Sequence, residues 1–215
     1  MKKQIALLVS SLLIQLPAYS LEFPPTGGTG APERTASGGR RTTSCTVAGA
    51  IPAMALMPQN NLGTTVSDTP TLFFYIPQTK AKTAQFTLMD NEGNELLEKA
   101  IALPEKPGVM KLNISVKLEE NKLYRWEFAI ICDNQDRTED RFIKGTLQRT
   151  PLNAELKAKL KDAAPLKQAE LYANAKIWHE SLAIAASIRL TNSKAWEELL
   201  KSVGLEAIAS QPFVN

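Results

Sequence analysis

From residue 123 to residue 132 every second position is large and apolar: Tyr124, Trp126, Phe128, Ile130 and Cys132 share one face, while Arg125 and Glu127 point the other way. A period of two over ten residues is the mark of a β-strand with one face in a core. It excludes an all-helical chain, and its aromatic face demands a second layer to cover it.

Shorter runs of the same kind fill the chain from Cys45 to about Thr150. Residues 71–76, TLFFYI, end at Pro77, and residues 84–89 alternate with period two. The polar stretch 90–94, DNEGN, supplies a turn, and residues 95–101 return as its partner. Residues 109–116 alternate again after Pro104 and Pro107. Residues 133–140 read as a polar turn before a closing strand over 142–147. Short strands with turns every ten or so residues predict an antiparallel β-sandwich over 45–150.

One local pattern sharpens that expectation. Leu118 stands six residues before Tyr124, which opens the longest strand with Trp126 two positions on. This resembles the tyrosine corner of immunoglobulin-like and fibronectin-type sandwiches, in which the phenol bonds back to the backbone at the arch. Trp126 is expected in the core.

After Thr150 the period lengthens. Thr150-Pro151 reads as a cap and first-turn pair, with Leu152, Leu156 and Leu160 at four-residue spacing. Pro165 restarts a helix through Tyr172. Ile177, Ser181, Ile184 and Ile188 form one stripe with Trp178, Leu182 and Ala185 beside it, a surface wide enough to be buried on two sides. Ser193 reads as the cap of a last helix stopped by Gly204. Trp178 followed three residues on by Ser181 resembles the aromatic-x-x-small element of tetratricopeptide helices, but no second copy follows at a period of 34, so helical-hairpin packing is the reading. The fold class is therefore α+β: an immunoglobulin- or fibronectin-like sandwich followed by a small helical unit over 151–210.

The first twenty residues have the build of a secretory signal: Lys2 and Lys3, an apolar stretch over 5–16, and Ala18-Tyr19-Ser20 as a small-x-small cleavage site. Cleavage is expected before Leu21. A twelve-residue stretch falls short of the roughly twenty residues that span a membrane. Residues 21–44, rich in Gly, Pro, Thr and Ser, read as a flexible linker. The expected location is thus the periplasm or the exterior, with the mature chain soluble.

Of 25 Lys and Arg residues, two leave with the leader, so the mature chain carries 23 basic and 22 acidic side chains. That balance gives no basis for nucleic-acid binding. Cys45 and Cys132 arrive together in an oxidising compartment, where a disulfide is expected; two unpaired thiols are the alternative.

Familiar catalytic patterns are missing. His179, the one histidine, sits between Trp178 and Glu180 in a predicted helix, where packing or surface exposure is expected rather than general-base work. Asp133, Asp136, Glu139 and Asp140 do not follow the spacing of a calcium loop. The adjacent pairs Glu119-Glu120 and Glu197-Glu198 point apart and read as surface charge, unlike the facing acids of a glycosidase. No catalytic, cofactor-binding or metal-binding residue is assigned, and no cofactor is expected.

Pro70-Thr-Leu-Phe-Phe-Tyr-Ile-Pro77, Glu92-Gly-Asn-Glu95, Tyr124-Arg-Trp-Glu-Phe-Ala-Ile-Ile-Cys132-Asp133, Gln148-Arg149, Leu171-Tyr172, Ile177-Trp178 and Ser202-Val-Gly-Leu205 together resemble an exported cyanobacterial family, domain of unknown function 928. Where that family tends to show Asn-Gly between its last helices, this chain has Ala175-Lys176. The resemblance implies an exported protein and transfers no catalytic residue. Two function classes follow: a non-enzymatic binding or scaffold module meeting an envelope protein or glycan, or a hydrolase acting on envelope glycan or peptide through an unfamiliar site.

Overall fold

The computed structural model describes residues 20–26, 45 and 50–214. The expected signal segment lies outside the described residues, apart from Ser20, and so does most of the expected linker. Among the described residues eight strands are present: β1 (Met54–Ala55), β2 (Leu62–Thr65), β3 (Thr71–Ile76), β4 (Thr83–Met89), β5 (Glu95–Ala102), β6 (Gly108–Asn113), β7 (Leu123–Ile131) and β8 (Arg141–Arg149). They form two sheets, β1-β3-β6 and β2-β8-β7-β4-β5. Five helices follow: α1 (Ala154–Leu160), α2 (Pro165–Asn174), α3 (Trp178–Ser187), α4 (Ser193–Ser202) and α5 (Glu206–Ala209).

The sandwich core is aromatic and is set by the alternation of β7. Trp126 and Phe128 point inward and meet Phe74 of β3, whose ring stacks on Phe128 at 4.5 Å and meets Trp126 edge-on at 5.5 Å. Tyr124 is buried as well, and its phenol oxygen accepts a hydrogen bond from the Glu119 backbone N–H at 2.8 Å, which closes the corner beside buried Leu118.

A third layer explains the unbroken apolar run of β3. Phe74 faces the five-stranded sheet, while its neighbour Phe73 faces the helices, 6.4 Å from both Trp196 and Phe213. Both faces of this strand are therefore covered from Leu72 to Ile76, so its apolar run needs no alternation. The chain end joins the same layer: Val109 donates to Pro212 O at 2.7 Å and Val214 donates to Val109 O at 2.9 Å, which covers the edge of β6.

The structure departs from the sequence-based reading in five places. The sandwich is not wholly antiparallel, because β2 runs parallel to β8. Strand β6 ends at Asn113 rather than reaching Val116, since Ile114 N turns to Pro70 O. The cap of α1 is Asn153, whose side chain accepts from Leu156 N at 2.7 Å, and the cap of α4 is Asn192, which accepts from Ala195 N at 3.2 Å. These short amides reach the exposed first-turn N–H groups that Thr150 and Ser193 do not meet. Leu21 and Phe23, placed in a linker by composition, are buried in the helical layer. Asp140, placed in a solvated turn, is buried and takes Arg137 Nε at 2.5 Å and Cys132 N at 3.3 Å.

Cys45 and Cys132 are disulfide-bonded, with their Cα atoms 5.4 Å apart. Cys132 follows the central strand β7, and Cys45 O accepts from Lys80 N and Thr79 Oγ1 in the β3–β4 turn. The bridge thus fixes the incoming chain to the middle of the larger sheet.

Candidate functional site

Strand alternation that sends Trp126 inward sends Arg125 and Glu127 outward, and cross-strand pairing sets them beside Thr146 and Lys144 of β8. Lys144 pairs with Glu127 and lies 5.5 Å above the exposed ring of Phe142. Arg125 Nη2 donates to Asn91 O at 2.6 Å. Met89 of β4 stands opposite Arg125. These outward residues make a mixed surface with charge, apolar area and a hydroxyl within three adjacent strands.

Between Lys144 and Thr146, Gly145 turns its side-chain position to the core side of the sheet. It is paired directly with Trp126, and a Cβ at that position would lie 2.3 Å from Trp126 Cζ2 and 2.7 Å from Cε2. Only a residue without a side chain lets the indole lie against the β8 backbone. Asn61 approaches the same point from the turn before β2, where it adopts φ 56°. Its amide nitrogen donates to Lys144 O at 2.9 Å, its own carbonyl accepts from Thr146, and its Oδ1 lies 3.0 Å from the Gly145 Cβ position.

The result is a hollow of about 360 Å³ lined by Asn61, Met89, Arg125, Trp126, Glu127, Lys144, Gly145 and Thr146. Two of its lining residues carry a buried polar atom without a hydrogen-bond partner: Asn61 Oδ1, an acceptor, and Trp126 Nε1, a donor. Asn61 is 4% and Trp126 1% exposed. Both atoms lie on the inward side of β7 and β8, beneath the hollow, and a buried polar group left unpaired costs roughly 1–3 kcal/mol.

A second polar cluster joins the helices to the sandwich. Trp178, the residue singled out in the helical stripe, is fully buried; its indole N–H donates to Leu56 O at 2.9 Å and its backbone N–H to Thr64 Oγ1 at 3.1 Å. Ser181, its small partner, donates to Ala169 O at 3.0 Å and ties α3 to α2. Glu180 Oε1 accepts from Thr65 Oγ1, Val66 N and Ser67 N. Burial raises the Glu180 pKa above its ordinary value, against the pull of these donors. His179 is 2% exposed with neither ring nitrogen hydrogen-bonded, and burial pushes its pKa down to about 4 against a smaller opposing pull from the Thr71 backbone. A neutral, enclosed imidazole at a packing seam fills space, as the sequence leads one to expect.

Of the six residues singled out from sequence, Cys45 and Cys132 meet in the bridge, Leu118 and Tyr124 meet at the corner, and Trp126 lies in the core and lines the hollow. Trp178 stands apart at the helical seam. Sequence reasoning does not find Asn61, Glu180 or Glu198. An Asn-Asn pair at 60–61 marks a turn, which is a signal for Asn61; the two glutamates look like ordinary helix surface. Among the described residues no group of three or more His, Cys, Asp or Glu side chains is placed to hold a metal, and no helix is long and apolar enough to cross a membrane.

Two packed sheets with a tyrosine corner, a bridge at the central strand and helices on the smaller sheet define a disulfide-bonded β-sandwich module with a helical layer. A family model described as Domain of Unknown Function (DUF928) matches residues 36–213, and the chain belongs to that family. Among solved structures, the fn3 domain of the human collagen alpha-1(XX) chain is similar at 10% identity and a TM-score of 0.31, covering 54% of this chain and 93% of that one. No curated protein matches the chain.

Proposed function

We propose that this chain is an exported, non-enzymatic binding module that meets a glycan of the cell envelope through the outer face of its five-stranded sheet, centred on the hollow at Gly145. The observation that carries this reading is the hollow itself, in which Met89 offers apolar area among the polar side chains of Arg125, Glu127, Lys144 and Thr146. A sugar hydroxyl donates and accepts at once, and the Glu127 carboxylate at the rim accepts such a donor. Arg125 and Thr146 add donors at the rim, and Met89 offers apolar area to a sugar face.

Export supplies the compartment for such a partner: the signal-like residues 1–20 and a disulfide at Cys45–Cys132 agree with each other, since bridges of this kind persist in oxidising surroundings. An envelope protein recognised through the same face is the neighbouring possibility, and one experiment separates the two. The mature, oxidised chain is sedimented with purified envelope polysaccharide freed of protein, beside a Met89→Arg variant that places charge in the hollow. Retention of the wild-type chain, reduced at least fivefold in the variant, is expected. Retention only when envelope protein is present assigns the face to a protein partner.

A further inference from the structure

Residues 20–26 do not leave the helical layer but run along it. Leu21 is 1% and Phe23 3% exposed, and the Phe23 ring meets Trp178 edge-on with centroids 5.0 Å apart. Two backbone N–H groups of this segment are taken by side chains of α4: Leu21 N donates to Glu198 Oε2 at 3.1 Å, and Phe23 N donates to Ser202 Oγ at 2.9 Å. Ser202 Oγ passes its own hydrogen to Leu199 O at 2.7 Å, so its lone pair is held toward Phe23. Glu198, which sequence reasoning leaves on the surface, has a side chain only 23% exposed, and its other oxygen faces Lys194 Nζ at 3.4 Å. Ser20 is exposed.

Across the Ser20–Leu21 peptide bond the residues pass from exposed to buried. The same bond follows Ala18-Tyr19-Ser20, where the sequence places leader cleavage. We infer that Glu198 and Ser202 of α4, with Trp178 beside them, form an internal receptor for the processed chain terminus, in which the Glu198 carboxylate holds the α-ammonium group of Leu21. The inference rests on the export reading above.

The chemistry of the cut changes what Glu198 receives. Water adds across the Ser20–Leu21 bond: its oxygen joins the Ser20 carbonyl carbon as a carboxylate, the C–N bond breaks, and the nitrogen leaves as an amine. That amine has an ordinary pKa of about 7.7–8.0 and takes a proton at neutral pH. An uncleaved chain offers Glu198 one neutral amide donor, whereas a cleaved chain offers a cation with three donors at the same atom. Both bonds are charge-assisted through the carboxylate, and the cleaved chain adds the attraction between opposite charges. Lys194 is the competing cation on the carboxylate; Glu197 and Lys201 lie on the same helix surface and alter the local charge little in sum. Phe23 against Trp178 supplies the apolar anchor that brings the terminus into reach. Processing thereby completes the helical layer.

The test is a two-by-two comparison of disulfide-bonded chains made to start at Leu21. One pair carries a free amine and one an Nα-acetyl group, each with Glu198 or with Glu198→Gln. Acetylation is expected to lower the folding equilibrium constant about three- to tenfold with Glu198 in place and less than twofold in the Glu198→Gln chain. An equal effect in both backgrounds, or none in either, overturns the inference. If the Glu198→Gln chain does not fold, amine reactivity decides within the wild-type chain: the Leu21 amine should react with a small acylating reagent at least tenfold more slowly in the folded protein than in urea, and equal rates overturn the inference. Intact mass of the host protein reports separately on export. A start other than Leu21 removes the natural role of the receptor, while the engineered chains still measure whether Glu198 holds that amine.

Discussion

Glu180 Oε1 accepts the Thr65 hydroxyl at 2.6 Å and so links the first turn of α3 to the end of β2. The same oxygen takes Val66 N and Ser67 N, which lie in the turn just beyond that strand. A single acid thereby satisfies a bend of the sandwich, and the helical layer is a structural part of it. Removing the Thr65 donor alone, as Thr65→Val, should lower stability by about 1–2 kcal/mol. Glu180→Ala, which removes the acceptor of Thr65 Oγ1 and Val66 N and leaves Ser67 N with Thr65 Oγ1 alone, should cost about 3 kcal/mol or more. Urea unfolding of the oxidised chain measures both, and equal losses for the two variants would show that the backbone N–H groups do not depend on Glu180.

Acid should loosen the same seam through His179. Its folded pKa of about 4 lies below the ordinary 6.5, so the folded chain resists protonation. The stability contributed by the neutral ring is complete above pH 6.5 and drains away as pH falls toward 4. At pH 5 the loss should be about 2 kcal/mol. Glu180, with a raised pKa, slopes the opposite way, losing stability as pH rises from 4.5. The measurement is therefore a difference: the gap in stability between about pH 7.5 and pH 5 should shrink by about 2 kcal/mol in His179→Leu relative to wild type. An unchanged gap would mean that the ring protonates freely in the folded chain.

Reducing the bridge should cost more than any of these changes. Cys45 and Cys132 are 87 residues apart in sequence, and closing a loop of that length restricts the unfolded chain by about 4–5 kcal/mol on entropic grounds. Thiol counting on the unfolded, unreduced protein should find no free thiol. Reduction should shift the urea midpoint sharply downward; a midpoint that does not move would make the bridge irrelevant to stability.

Lys176 adopts φ 58° between α2 and α3. A side chain in this left-handed region costs about 1 kcal/mol, and a β-branched one more. Lys176→Gly should raise stability by about 0.5 kcal/mol and Lys176→Val lower it by about 1–2 kcal/mol. Thermal unfolding of the two variants gives the order, and a Val variant as stable as wild type would refute the strain.

Much of this architecture is legible because strands covered on one face alternate. The period of Tyr124, Trp126, Phe128 and Ile130 locates β7 and its inward face, and Leu118 with Tyr124 locates the corner. Residues 71–76 are legible as a strand, but not as one buried on both faces, because a continuous apolar run does not say what covers it. Strand β2, LGTT, has no pattern of its own; its partner β8 makes it a strand. Leu21 and Phe23 are two apolar residues beside Gly- and Pro-rich chain, too few to carry a period. At the hollow, Trp126 is visible from sequence, whereas Asn61 and Gly145 gain their meaning only when β2 and β8 come together.

The hollow at Gly145 is the centre of the proposed function, and chemical-shift mapping tests it most directly. The mature, oxidised, ¹⁵N-labelled chain is titrated with soluble oligosaccharides released from the host's envelope glycan. Binding at the hollow predicts saturable shifts of the Arg125, Lys144, Gly145 and Thr146 amides, with the α4 amides unmoved and the oligosaccharides intact. Shifts confined to another surface, no shift at millimolar concentration, or release of new reducing ends during the titration would contradict it.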